Sequence, residues 1–155
     1  MNTNEEKAYF AAGCFWGVEE SFLKTEGVLE TRVGFSGGDT PSPTYEQVSS
    51  GDTGHAETVE VIFDIAVLTY EKLVRIFFGL HNPTTRNKQG ADTGTQYRSA
   101  IFYVDDAQKK VAESIKGELQ REGIYENMVT EIELFTFFYP AEEYHQKYVQ
   151  KKRNI

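Results

Sequence analysis

Hydrophobic and polar residues change period several times along this chain, and each change marks an element. Lys7 to Ala12 is a short apolar run that predicts a buried strand, and Val28 to Phe35 alternates as a strand does. Thr58 to Phe63 puts Val59, Val61 and Phe63 on one face, and Ala100 to Val104 and Thr130 to Phe138 read as two further strands. Between them the period lengthens to that of a helix. Phe15 to Lys24 turns Val18, Phe22 and Glu19 inward and stops at Gly27, while Tyr70 to Leu80 carries a stripe of Leu73, Phe77 and Leu80. Asp105-Asp106 caps a helix from Ala107 to Arg121, in which Val111, Ile115 and Leu119 recur every fourth residue before Gly123 ends it. Pro140 is expected to open a last helix reaching about Lys152.

The order is strand, helix, strand, strand, helix, strand, then helix, strand, helix. Its first six elements predict an α+β, ferredoxin-like split βαβ two-layer sandwich with a mixed sheet, extended by a C-terminal strand and helix. No linker or repeat divides the chain, so residues 1–155 are expected to form a single catalytic domain. Two connections are too long for simple turns: Ser36 to Ala56, in which Tyr45 to Val48 is expected to make a helical turn, and His81 to Gln96. Loops of that length in a compact domain usually carry function.

Composition narrows the partners. The 155 residues carry a net charge of −8, which disfavours nucleic acid, and the basic run Lys151-Lys152-Arg153 suits the solvated end of a helix. The polar N-terminus, Met1 to Lys7, offers no apolar run for a signal peptide or membrane span, so a soluble cytoplasmic monomer is expected. There is one cysteine, which leaves no internal disulfide and requires any oxidised Cys14 to be relieved by a thiol from another molecule.

That cysteine lies in Gly13-Cys14-Phe15-Trp16-Gly17, between the first strand and the first helix. Unpaired amides and the dipole at a helix start favour thiolate over thiol there, while Phe15 and Trp16 offer an apolar wall. Three polar loci converge in the expected topology: the start of the first helix with Cys14, the segment before the third strand with Tyr45 and Glu57, and the segment before the fourth with Asp92 and Tyr97. A thiolate beside a carboxyl group and two phenols suits attack on an electrophilic atom whose oxygen must be protonated, as in a sulfoxide. One cysteine and the scattered His55, His81 and His145 make a poor metal site, and nothing in their spacing marks a base for Cys14. A one-cysteine thiol peroxidase and a non-enzymatic module that binds oxidised methionine through Phe15 and Trp16 are the competing readings.

Gly13-Cys14-Phe15-Trp16-Gly17, Pro43-Thr44-Tyr45, Gly51 through Glu57, Gly94 through Ser99 and Glu143-Tyr144-His145-Gln146 together resemble the methionine sulfoxide reductase A family, over about Tyr9 to Lys152. The resemblance implies that Cys14 attacks the sulfur of methionine S-sulfoxide, free or in peptides and proteins, leaving methionine and a Cys14 sulfenic acid. It implies that Glu57 donates the proton, Tyr45 and Tyr97 hydrogen-bond the oxygen, Asp92 helps orient the site, and Phe15 and Trp16 hold the methyl group. No bound cofactor or metal is expected. Relatives often carry further cysteines, and position 49, serine here, is cysteine in some of them. Recycling by an external thiol is therefore expected, from thioredoxin, glutaredoxin with glutathione, or a small thiol. Phe35, Asn82 and Ala91 stand where tyrosine, aspartate and asparagine are common in the family.

Overall fold

The computed structural model describes residues 4–153; Met1 to Thr3 of the polar N-terminus and Asn154-Ile155 lie outside the described residues. Strand β1 (Glu5–Ala12) leads into α1 (Phe15–Leu23), and β2 (Val28–Ser36) follows a turn at Gly27, whose φ of +98° suits glycine. The first long loop contains a short helix, α2 (Tyr45–Ser49), closed at its start by a reciprocal capping box between Thr44 and Gln47. Next come β3 (Ala56–Asp64) and α3 (Tyr70–Leu80). The second long loop holds a hairpin of β4 (Lys88–Gln89) and β5 (Asp92–Thr93) and a 3-10 turn (Thr95–Tyr97) before β6 (Ser99–Tyr103). Helix α4 (Asp106–Arg121) starts where the Asp105 side chain accepts the Gln108 amide, as its acidic pair predicts. Strands β7 (Glu131–Leu134) and β8 (Tyr139–Pro140), a 3-10 turn (Glu143–His145) and α5 (Tyr148–Arg153) complete the order.

The main sheet runs β7-β6-β1-β3-β2-β8. Its four central strands pair antiparallel in the split βαβ order, and β7 adds to the edge in parallel with β6, which makes the sheet mixed as expected. One face carries α1, α3 and α4 over a core that includes Phe10, Phe22, Val59, Val61, Phe63, Leu73, Phe77, Ile101 and Ile115. Leu80 and Val111 pack at the edge of this core; Val74, Phe78 and Ala112 are buried in the corresponding turns.

Two expectations fail at the C-terminus. The strand foreseen over Thr130 to Phe138 ends at Leu134, and the chain crosses the sheet's second face. There Phe135 stacks on Tyr9 with ring centroids 4.0 Å apart, and Phe138 is buried beside Tyr9, Ala11, Ala100 and Phe102. The aromatic residues that look like a strand in sequence act as a cover for a face that has no helix. Pro140 opens no helix: it sits in β8 against Gly34 at the sheet edge, where its missing N–H costs nothing. A Cβ on Gly34 would lie 2.3 Å from the Tyr139 carbonyl oxygen, so this close pairing requires glycine.

Candidate active site

Antiparallel pairing brings the predicted residues to one end of the sheet. Phe10 of β1 lies opposite Val59 of β3, and Ala12 opposite Ser99 of β6, so the end of β1 meets the starts of both neighbours. Cys14 is the N-cap of α1, Glu57 is the second residue of β3, Tyr45 opens α2, and Tyr97 closes the 3-10 turn before β6. Asp92 lies on the exposed β5.

Phe15 is fully buried, and its ring sits 5.7 Å from Phe35, 6.1 Å from Tyr45 and 5.5 Å from His145, centroid to centroid. Trp16 is half-buried, stacks on Tyr148 at 4.0 Å and donates its indole N–H to His145 Nδ1 at 3.0 Å. That bond leaves the His145 proton on Nε2, and burial holds the ring below the usual histidine range. His145 is thus a hydrogen-bonding residue of the 3-10 turn before α5. The other two histidines are also committed elsewhere. His55 accepts from the Gly38 amide and donates to the Thr40 carbonyl, while His81 donates to the Phe77 carbonyl and accepts from Ser99. Among the described residues, no group of three His, Cys, Asp or Glu side chains is disposed to hold a metal ion.

Glu57 is 1% exposed. Its Oε1 accepts the Phe15 amide at 3.0 Å, and its Oε2 is buried without a partner. Burial is the main reason its pKa rises to about 7; the nearby charge of Asp92 adds to the rise and the Phe15 amide opposes it. A carboxyl group in this state keeps its proton near neutrality and has a free oxygen from which to give it. Burial and the charge of Glu57 also push up both phenols, Tyr97 to about 12. Both hydroxyls therefore stay protonated and able to donate.

The behaviour of Cys14 corrects the expectation drawn from its helix. Amides of Trp16 and Gly17 do favour its thiolate, but burial outweighs them and the charges of Glu57 and Asp92 act in the same direction as burial. The net shift is upward, so the resting sulfur is a thiol more strongly than a free cysteine would be. A helix start supplies only partial charge within one turn, and desolvation of the sulfur is the larger effect here.

Some residues around the site escaped the sequence reading. Gln96 is buried and donates to the Ser49 carbonyl at 3.2 Å, tying the turn that carries Tyr97 to the helix that carries Tyr45. Glu142 accepts the Tyr45 amide at 3.3 Å. Gln96 lies within the motif Gly94 through Ser99 and Glu142 beside another, but polar side chains serving distant backbone groups leave no periodic signal.

A family model described as "Peptide methionine sulfoxide reductase" matches residues 6–155. A protein of Methanococcoides burtonii named "Peptide methionine sulfoxide reductase MsrA" is 54% identical over 147 residues, covering 94% of this chain and 96% of its own. Mxr1 from Saccharomyces cerevisiae in reduced form superposes with a TM-score of 0.91 at 38% identity, over 100% of this chain and 90% of that one. The same yeast protein in complex with Trx2 gives 0.68 at 26% identity, over 96% and 87%. The order of motifs, the sheet topology and these likenesses agree: the chain belongs to the peptide methionine sulfoxide reductase family, and its activity is the reduction of methionine sulfoxide to methionine.

Proposed function

We propose that Cys14 is the nucleophile of this reduction and Glu57 its acid, acting on the S epimer of methionine sulfoxide, free or within peptides and proteins. The observation that carries the reading is the buried carboxyl of Glu57, one oxygen bonded to the amide after Cys14 and the other unpartnered. Cys14 sulfur bonds to the sulfoxide sulfur while Glu57 passes its proton to the oxygen, with the Tyr45 and Tyr97 hydroxyls donating to that oxygen as charge develops on it. The oxygen then passes from the methionine sulfur to the Cys14 sulfur, the old sulfur–oxygen bond and the bond between the two sulfurs breaking as the new one forms; methionine leaves reduced by two electrons, and Cys14 is oxidised by two to a sulfenic acid. The thiol proton of Cys14 replaces the one Glu57 gave. Phe15 and Trp16 form the wall against which the methyl group rests, and Asp92 helps orient the site.

No second cysteine lies in residues 1–155, so the sulfenic acid is taken up by an external thiol, forming a mixed disulfide with loss of water; a second thiol then releases Cys14. The complex of the yeast relative with Trx2 supports a thiol protein, thioredoxin or glutaredoxin with glutathione, in this role. Among the described residues no helix is long and apolar enough to cross a membrane. A free thiol at the centre of the site suits the reducing cytoplasm, and a site drawn from one chain suits a monomeric enzyme in which residues 1–155 form one catalytic domain.

Mixing reduced protein with each epimer of a methionine sulfoxide peptide, with no reductant present, tests the reading. The expected result is one equivalent of S epimer consumed and one oxygen added to Cys14, with both effects lost in Cys14→Ser. Reduction of either epimer by Cys14→Ser would overturn it.

A further inference from the structure

The β4–β5 hairpin consists of two-residue strands on the protein surface, too small to hold a fixed position unaided. It nevertheless carries Asp92 and, after Gly94, runs straight into the turn that ends at Tyr97. The Thr85 hydroxyl donates to the Lys88 carbonyl of β4 at 2.6 Å, and the wider anchor is Gln89. The Gln89 side-chain oxygen accepts the Asn82 amide at 3.0 Å, and its side-chain nitrogen donates to the Asn82 carbonyl, so one side chain clasps both main-chain groups of a residue at the far end of the loop. Its aliphatic stem lies against Gly13, the residue before Cys14. A Cβ on Gly13 would sit 2.9 Å from both Cβ and Cγ of Gln89, and the Gly13 φ of +100° is closed to other residues. Within the hairpin, Gln89 stands directly opposite Asp92.

We propose that Gln89 is a positioning residue for the reaction: it locks the Gly13-Cys14 turn, the Asp92 hairpin and the His81-Asn82 corner into one arrangement. The inference rests on the reading of Cys14 as nucleophile. Gln89 touches no reacting atom. Its contribution is to stop the nucleophile's turn from moving relative to the segment bearing Asp92 and Tyr97, and a displacement of about 1 Å in such a site costs on the order of a hundredfold in rate.

The test uses the full chain with Gln89→Ala, which removes the clasp and the stem, and Gln89→Met, which keeps the stem alone. Single-turnover reduction of a methionine S-sulfoxide peptide is expected to slow by roughly ten- to a hundredfold in Gln89→Ala and by less in Gln89→Met, with half-saturation little changed. A second readout is the pH midpoint of Cys14 alkylation by iodoacetamide. The groups facing Cys14 are Glu57 from β3, Asp92 from β5, the phenols of Tyr45 and Tyr97, and the Trp16 and Gly17 amides of its own helix. Asp92→Asn is expected to lower the midpoint in the wild-type background and to lower it less when Gln89→Ala is already present, because the hairpin no longer fixes the charge at residue 92 relative to the thiol. A Gln89→Ala protein that reduces at the wild-type rate, or in which Asp92→Asn shifts the midpoint as far as in wild type, would overturn the proposal. Should Gln89→Ala not fold, Gln89→Met carries both readouts with the same directions expected. Failure of the wild-type protein to reduce the peptide would instead refute the reading of the site, and the alkylation pair would still decide on Gln89.

Discussion

Glu57 and Glu60 lie three residues apart on β3, are 1% and 2% exposed, and point to opposite faces of the sheet. They hold opposite states of the same group. On the second face, Tyr9 of β1 and Arg32 of β2 stand directly opposite Glu60 in the register. The Tyr9 hydroxyl donates to it at 2.8 Å and Arg32 Nε at 2.7 Å, and this pairing holds Glu60 below the usual carboxylate range although burial pushes it up. On the helical face Glu57 meets one amide and no cation, and burial wins. Burial alone therefore does not decide whether a carboxyl is ionised; the partner across the neighbouring strand does. The paired carboxylate locks three strands together, and the unpaired one is left with a proton to give.

The largest effect in breaking this contrast is expected from Glu57→Gln, which keeps the shape and removes the acid. Single-turnover reduction should fall by about 10²- to 10⁴-fold while the circular dichroism spectrum stays that of the wild type. An undiminished rate would show that the proton comes from elsewhere.

Arg32→Met should move Glu60 towards the condition of Glu57. It leaves a buried carboxyl with only the Tyr9 hydroxyl, and because Arg32 is itself partly solvated a loss of about 1–3 kcal/mol in urea unfolding is expected, with the reduction rate intact.

The two carboxyls also give stability opposite dependences on pH. The Glu57 pKa in the folded state, about 7, lies above its ordinary value of 4.5, so the stability it contributes is full below about 4.5 and lost as pH rises to about 7. Glu60 is depressed, so its contribution is present above its ordinary value and lost on acidification. Glu57→Gln should flatten the decline between pH 4.5 and 7, a difference of about 2–3 kcal/mol in the free energy of unfolding obtained from urea titrations across that window. In the wild type the rate of reduction should fall above about pH 7, and that limb should vanish with the substitution. The smallest effect is expected from Asp92→Asn: Asp92 is exposed and water screens its charge, so the limb near pH 7 should move only slightly, and downward.

The strands and helices as far as the end of α4 were legible in the sequence because each buries one face against the common core. Val59, Val61 and Phe63 alternate for that reason, and the Asp105 cap and Gly123 stop bracket α4 as expected. The path between Leu134 and α5 was not. Phe135 and Phe138 are apolar because they cover the second face, and from spacing alone such a cover cannot be distinguished from a strand. Around the site, Cys14, Phe15, Trp16, Tyr45, Glu57 and Tyr97 were recognisable, while Gln89 and Gln96 were not, since their work is done on backbone groups far away in the chain.

The residue types at Cys14, Glu57, Tyr45 and Tyr97, and the order of the elements carrying them, are enough to suggest the proposed chemistry: a thiol, a carboxyl and two phenols are functional groups that exist in any conformation. Their protonation is another matter. Nothing local separates Glu57 from Glu60, or makes the Cys14 thiol harder to ionise in spite of its helix. Those states follow from which strands lie alongside and how much water is excluded, because the energy of a charge depends on its surroundings over several ångströms in every direction, most of them supplied by residues remote in the chain.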